Sequence, residues 1–190
     1  MKFIIVLSLG AGLALSAPLV SERQAGSACF LVGNQVLPKE VADVATQIGP
    51  RVTCDTSRTT LSGVPDVSSG GVSFSSVNFA TSSQTALAFA LDKFATPATL
   101  RNANLATFQQ QLDVYLATEA GIRSVGGNLA IKVPKFFLQF QISRIQTAQG
   151  NPPAAAGQQV DHLLQKVLKN APRESQQLKD QVTALAKKLS

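Results

Sequence analysis

The stretch KFFLQFQISRIQ, from Lys135 to Gln146, decides between a helical and a sheet-rich interpretation of this 190-residue chain. Interpreted as a strand, the stretch alternates almost perfectly between an apolar face and a polar face. Interpreted as a helix, it continues without a breaker from Pro134, which suits a first helical turn, to the breaker sequence GNPP at 150–153. Such an unbroken segment is long for a strand. The sequence therefore favours a largely buried helix over 135–149, with a strand as the alternative.

The two basic residues of this stretch do not belong to one surface in either interpretation. Lys135 and Arg144 are nine positions apart, which puts them on opposite sides of a helix and on opposite faces of a strand. A surface that binds nucleic acid needs basic and aromatic residues that converge. We therefore expect the phenylalanines to lie in the core and the two charges to lie at its edges.

Helical periodicity and capping residues recur along the rest of the chain. Thr85 and Asn104 stand where N-caps are expected, and Pro172 precedes the last apolar stripe. These signals predict further helices at about 38–48, 85–95 and 105–121, an amphipathic helix from Ala154 onward that carries its apolar stripe at 160–168 and ends at about Asn170, and a last helix after Pro172.

A serine- and threonine-rich region at 56–85 separates the first of these helices from the others. It has the composition of turns, but GVSFSSVNFA at 71–80 predicts one or two short strands, for which residues 29–32 are a candidate but not a required partner. The fold class is therefore mainly α, or α+β with a small β element. We expect one compact helical domain at 29–170 and a C-terminal amphipathic helix at 171–190.

The N-terminus is typical of a secretory signal peptide. Lys2 precedes an apolar run that is too short to span a membrane, and small residues up to Ala17 fit a cleavage site. We expect residues 1–17 to be removed and residues 18–28 to form a short processed or disordered segment, with Arg23 as an alternative trimming position. The mature protein is then secreted and extracellular, with no transmembrane segment.

Cys29 and Cys54 are the only cysteines of the chain. Outside the cell such a pair is most simply a disulfide, and its wide spacing differs from that of redox-active or metal-binding pairs. We predict that this bond staples the helix at 38–48 to the segments on either side of it.

Positive charge is concentrated in the C-terminal part of the chain. From residue 121 onward ten Lys or Arg face three acids, and the whole chain carries a net charge of +6. On the helix at 160–170, the residues His162, Lys166 and Lys169 line up opposite the apolar stripe and form a candidate basic surface. It suits an anionic polysaccharide, an anionic lipid surface or an acidic protein rather than nucleic acid, and a merely solvated helical face is the alternative.

No catalytic, metal-binding or cofactor-binding residue is predicted. The single histidine, His162, falls on the basic face instead of in a pocket, which disfavours triad chemistry and a zinc site. The pair Gly126-Gly127 alone is too weak to indicate a phosphate loop. Acid–base catalysis by two distant carboxylates, as in glycosidases, stays an alternative.

Three segments resemble a known group of proteins. APLVSERQ at 17–24, ATEAGIRSVGGNLAIKVPKFF at 117–137 and GQQVDHLLQKVLKNAP at 157–172 are similar to an uncharacterised family of small secreted proteins of filamentous fungi. That family has no established activity, so the resemblance implies secretion and supplies no site residues.

The sequence thus leads to a secreted, non-catalytic interaction protein whose partner is unknown, with a cell wall or host surface as the expected place of action. One alternative is a carrier of a small hydrophobic ligand, which would need a cavity between helices. A second alternative is a carboxylate-dependent hydrolase, which would need a cleft with two facing acids.

Overall fold

Six α-helices and one small antiparallel sheet make up residues 28–190, the part of the chain that the computed structural model describes. The helices are α1 Lys39–Ile48, α2 Ala86–Lys93, α3 Leu105–Ser124, α4 Lys132–Ala148, α5 Val160–Asn170 and α6 Gln176–Ala186. The strands are β1 Thr53–Thr59, β2 Pro65–Ser69 and β3 Val72–Ser73. The predicted fold class, mainly α with a small β element, is confirmed. The predicted signal peptide and the processing position after Arg23 lie outside the described residues.

Helix α4 is the centre of the fold and packs against α2, α3 and α5. The stretch that could form a helix or a strand is therefore a helix, as predicted, with Pro134 in its first turn. Phe137, Leu138 and Phe140 are completely buried, and nearly every side of the helix is covered. A helix buried on all sides does not need one apolar stripe, which explains why its periodicity resembles that of a strand.

The capping residues chosen from the sequence begin their helices as expected. The side chain of Thr85 accepts a hydrogen bond from the backbone N–H of Ala88, and that of Asn104 accepts one from Thr107. Each bond satisfies a donor that the first helical turn leaves free. These local signals fixed where α2 and α3 begin.

The predicted end of α3 near Gly121 is wrong, because the helix continues to Ser124. Gly121 serves close packing instead of termination. A Cβ atom at this position would lie 2.5 Å from the carbonyl oxygen of Phe30 and 2.7 Å from the methyl groups of Val64. Only glycine lets the N-terminal segment and the end of α3 approach so closely.

The sheet differs from the prediction in its location and pairing. Its order is β1-β2-β3, both pairs are antiparallel, and residues 29–32 do not take part. Only Val72–Ser73 of the expected strand region is extended, since Phe74–Val77 forms a 3-10 turn in which the Ser73 side chain accepts from the N–H of Ser76. Strand β2 and most of β1 come instead from the part of the serine- and threonine-rich segment that precedes residue 71.

The last helix packs against α2 and α5. Its residue Val182 is completely buried, and Leu178 and Leu185 are half-buried against the same core. The segment at 171–190 is thus docked on the body formed by residues 29–170. No helix among the described residues combines the length and apolar character that crossing a membrane requires.

The predicted disulfide between Cys29 and Cys54 is present, with the two Cα atoms 6.0 Å apart. It joins the segment before α1 to strand β1, so α1 lies inside the closed loop of 25 positions. The bond therefore holds α1 to the sheet.

Replacing both cysteines by alanine is expected to lower the free energy of unfolding by about 3.5 kcal/mol. The disulfide closes a loop of this length and so restricts the conformational entropy of the unfolded chain, and the double variant removes that restriction. Urea unfolding followed by circular dichroism measures the change. The unmutated protein treated with a reducing agent serves as the matched control and should show the same loss. Equal midpoints for oxidised protein and the double variant would contradict the prediction.

Candidate functional site

A group of charged side chains lies near Lys135 and Phe136, where α3, α4 and α5 meet. This junction cluster comprises Glu119 and Arg123 of α3, Lys132, Lys135 and Phe136 of α4, and Lys166 of α5. At its centre the Glu119 carboxylate receives cations on both oxygens. Oε2 lies 2.6 Å from Nζ of Lys135, and Oε1 accepts hydrogen bonds of 3.0 and 2.8 Å from Nε and Nη2 of Arg123. Glu119 is therefore fully engaged within the cluster.

The central ion pairs are largely shielded from water. The side chain of Glu119 is 4% exposed and that of Lys135 is 10% exposed. Burial alone raises the pKa of Glu119, but the charges and hydrogen bonds of Lys135 and Arg123 outweigh it and hold the pKa below its usual value. Burial lowers the pKa of Lys135, and the nearby positive charges of Arg123 and Lys132 act in the same direction. The cluster thus has a dehydrated centre with an excess of positive charge.

Phe136 connects this centre to α5. Nζ of Lys135 lies 4.1 Å from the ring centroid of Phe136, and Nζ of Lys166 lies 6.0 Å from the same centroid. Both distances are within the range of cation–π attraction, which restrains the two ammonium groups. The cluster therefore contains four cations and one carboxylate, of which Lys135 and Arg123 contact the carboxylate and Lys166 is exposed.

The candidate basic surface predicted from the sequence occupies the outer face of α5. His162, Lys166 and Lys169 are all exposed, whereas the apolar stripe of the helix is buried in the core. Among residues 28–190, no carboxylate lies within ion-pair distance of either lysine. Lys166 belongs to the candidate basic surface and to the junction cluster, so the two adjoin each other. Its role in binding stays a prediction.

The expectation that Lys135 and Arg144 lie at the edges of the core is wrong, because both are buried. Their partners come from other elements of the fold. Lys135 pairs with Glu119, and Arg144 donates hydrogen bonds of 2.8 Å to the carbonyl oxygens of Leu185 and Lys188. The two residues are nevertheless far apart on α4, so the conclusion that they form no common patch holds.

Arg144 anchors the end of α6. Its third hydrogen bond goes to the side-chain oxygen of Gln141, whose amide donates to the carbonyl of Phe94 at the end of α2. Burial lowers the pKa of Arg144 to about 10, so it stays protonated at neutral pH. The carbonyl ends of helices carry partial negative charge, which compensates the buried guanidinium.

A cleft of about 320 Å³ lies between α2, α4 and α6. Its apolar wall is formed by Leu91, Ala95, Ala184 and Leu185, and its polar wall by Thr96, Gln141, Gln181 and Lys188. It is the feature that bears on the carrier hypothesis. Its volume is at the lower end of what small-molecule sites occupy.

The buried carboxylates of the described residues are engaged in other interactions. Asp113 accepts from Arg51 at 2.6 and 2.8 Å and from Ser69 at 3.1 Å, and Asp66 accepts from the N–H of Ser75 at 2.9 Å. Each thus has a structural partner, as Glu119 does. No group of three or more potential metal ligands occurs within residues 28–190.

Sequence reasoning missed the junction cluster, although two signals for it were present. Glu119 falls on the apolar stripe of α3, where a lone acid needs a buried cation. Lys135, among the phenylalanines in the first turns of the helix predicted to be buried, is the matching signal. Which helices bring the two together depends on tertiary packing.

Comparisons with known proteins find no match among curated proteins and none among solved structures. A family model does match, over residues 31–190, so the matched region includes the junction cluster, the basic surface and α6. The resemblance to an uncharacterised family is confirmed to that extent. The chain belongs to the family described as "Domain of unknown function (DUF7143)".

Proposed function

We propose that the protein is a secreted, non-catalytic interaction protein that binds an anionic extracellular partner, and that it acts at a cell wall or host surface. The observation that carries this proposal is the positive charge on α5. Lys166 and Lys169 are exposed and have no acidic partner among the described residues. Uncompensated charge of one sign on one face attracts a partner of opposite charge.

Three features support the extracellular location. The sequence begins with the pattern of a signal peptide at 1–17, and Cys29 and Cys54 form a disulfide, which is compatible with an oxidising environment outside the cell. The resemblance to small secreted fungal proteins points in the same direction.

The proposal is tested with the chain from Gln24 to Ser190, applied at low salt to immobilised acidic polysaccharides and to vesicles that contain phosphatidylserine. Reversing two charges with Lys166→Glu and Lys169→Glu is expected to weaken binding at least about tenfold, since each cation near an anionic surface contributes about 1 kcal/mol. Lys93→Glu is the matched control, because Lys93 is exposed on α2. Failure of the unmutated protein to bind any anionic surface, or equal losses for both variants, would contradict the proposal.

A carrier of a small hydrophobic ligand is the second candidate, favoured by the cleft between α2, α4 and α6. Native mass spectrometry of protein recovered from its secreting host distinguishes the two. A stoichiometric small molecule would support the carrier, whereas a bare polypeptide mass would favour the interaction protein.

A further inference from the structure

The positive charge of the junction cluster is only partly compensated within the cluster. Glu119 already binds Lys135 and Arg123, one on each carboxylate oxygen, so it cannot neutralise Lys132 or Lys166. Within residues 28–190 neither of these lysines has an ion-pair partner. An added anionic group between α4 and α5 would therefore meet net positive charge on two sides.

The centre of the cluster is also preorganised. The ammonium of Lys135 is fixed between the Glu119 carboxylate at 2.6 Å and the Phe136 ring at 4.1 Å. A ligand that reaches this ammonium does not have to immobilise a free lysine side chain, which saves the entropy that such ordering costs. Because this ammonium group is largely shielded from water, its electrostatic attraction for an anion is also stronger than it would be in bulk water.

The positive charge extends from the cluster along α5. Lys166 and Lys169 lie about 4.5 Å apart along the helix axis, given the rise of an α-helix, and both are exposed. His162 lies one turn before Lys166 on the same face. A row of charges that continues from the junction cluster suits a polymer with repeated anionic groups better than a single small anion.

A membrane surface fits this region less well than a polysaccharide. An interfacial helix presents Leu, Phe or Trp to the lipid, whereas Leu163, Leu164 and Val167 of α5 are buried in the core. The large apolar residues that are exposed among the described residues are Val32, Val36 and Val125, and none belongs to α5 or α6. The region thus offers charge without an apolar surface for insertion.

We infer that the junction cluster is a partly buried subsite for a sulfate, phosphate or carboxylate group of an acidic polysaccharide whose chain continues along the basic face of α5. The inference rests on the proposed function and adds the ligand class and the residues that select it. Lys132 and Lys166 flank the entering group, and Lys135 lies behind them. Phe136 and Glu119 position Lys135.

The test measures binding of the chain from Gln24 to Ser190 to heparin, to polygalacturonate and to vesicles that contain phosphatidylserine, over a range of salt concentrations. Lys132→Ala and Lys135→Met are each expected to weaken polysaccharide binding about fivefold and to reduce the slope of log affinity against log salt by about one. Lys93→Ala is the matched control and should leave both quantities unchanged.

Melting temperature separates loss of the subsite from loss of the fold. Lys132 is half-buried without an ion pair, so Lys132→Ala should melt within about 2 °C of the unmutated protein. Lys135→Arg keeps the charge and should restore most of the affinity that Lys135→Met loses.

The outcomes distinguish the inference from the proposed function. Binding that depends on Lys166 and Lys169 but not on Lys132 or Lys135 would overturn the subsite and leave the proposed function standing. Binding to vesicles without binding to either polysaccharide would also overturn the inference. Absence of binding to all three ligands would overturn both.

Discussion

Replacing Arg144 by methionine is expected to lower the free energy of unfolding by about 4 kcal/mol, since hydrogen bonds from a charged donor contribute about 1.5–3 kcal/mol each. The variant keeps most of the apolar volume but leaves the carbonyls of Leu185 and Lys188 and the side-chain oxygen of Gln141 without their donor. Urea unfolding at neutral pH measures the loss.

The same substitution in a chain that ends at Asn170 isolates the contribution of α6. Without α6 the carbonyl acceptors are gone and water reaches the guanidinium, so Arg144→Met should then cost less than about 1 kcal/mol. Val182→Ala in the full chain is the control for apolar packing and should not change the effect of Arg144→Met by more than about 0.5 kcal/mol. An equal cost of Arg144→Met with and without residues 171–190 would mean that the last helix is not anchored by this residue.

Arg144 also illustrates which parts of the fold the sequence could reveal. Helix starts depend on neighbours within a few positions, as Thr85 and Asn104 show through their hydrogen bonds to Ala88 and Thr107. The two backbone carbonyls of α6 and its end that Arg144 binds lie 41 and 44 positions away. A pattern read along one segment cannot contain them.

The errors in the prediction have the same origin. From the sequence around it, Gly121 is interpreted as the end of a helix. The need for glycine at this position comes instead from the close approach of Phe30 and Val64, which belong to distant segments. Strands β1 and β2 pair with each other in an antiparallel register, with Cys54 opposite Val67, although their composition is that of turns. Tertiary packing outweighed local propensity at both places.

The candidate site was only partly predictable for a related reason. Exposure of His162, Lys166 and Lys169 follows from helical periodicity. The apolar stripe of α5 faces the core, so residues on the opposite side of the helix face water. The junction cluster instead requires α3 and α4 to bring Glu119 and Lys135 within 2.6 Å. A polar residue on an apolar stripe signals that a partner exists without identifying it.

Glu119→Gln is the other substitution with a large expected effect. It removes the carboxylate charge while keeping the size of the side chain, and leaves Lys135 buried without a counter-charge and Arg123 with a weaker acceptor. Breaking a buried ion pair on one side costs about 3–5 kcal/mol, so we expect a loss of about 4 kcal/mol at pH 7. Glu40→Gln is the matched control, since Glu40 is exposed on α1 and should change stability by less than about 0.5 kcal/mol.

The pH dependence of this loss identifies its electrostatic origin. The pKa of Glu119 in the folded protein is held below its ordinary value of 4.5 by Lys135 and Arg123, against the opposing effect of burial. A carboxylate whose pKa is lowered on folding stabilises the protein above its unfolded pKa, and the contribution disappears as pH falls through the folded pKa. The stability difference between the unmutated protein and Glu119→Gln should therefore be constant from pH 7 down to about pH 5 and shrink at lower pH. A difference that stays unchanged down to pH 2.5 would mean that Glu119 acts through packing and not through its charge.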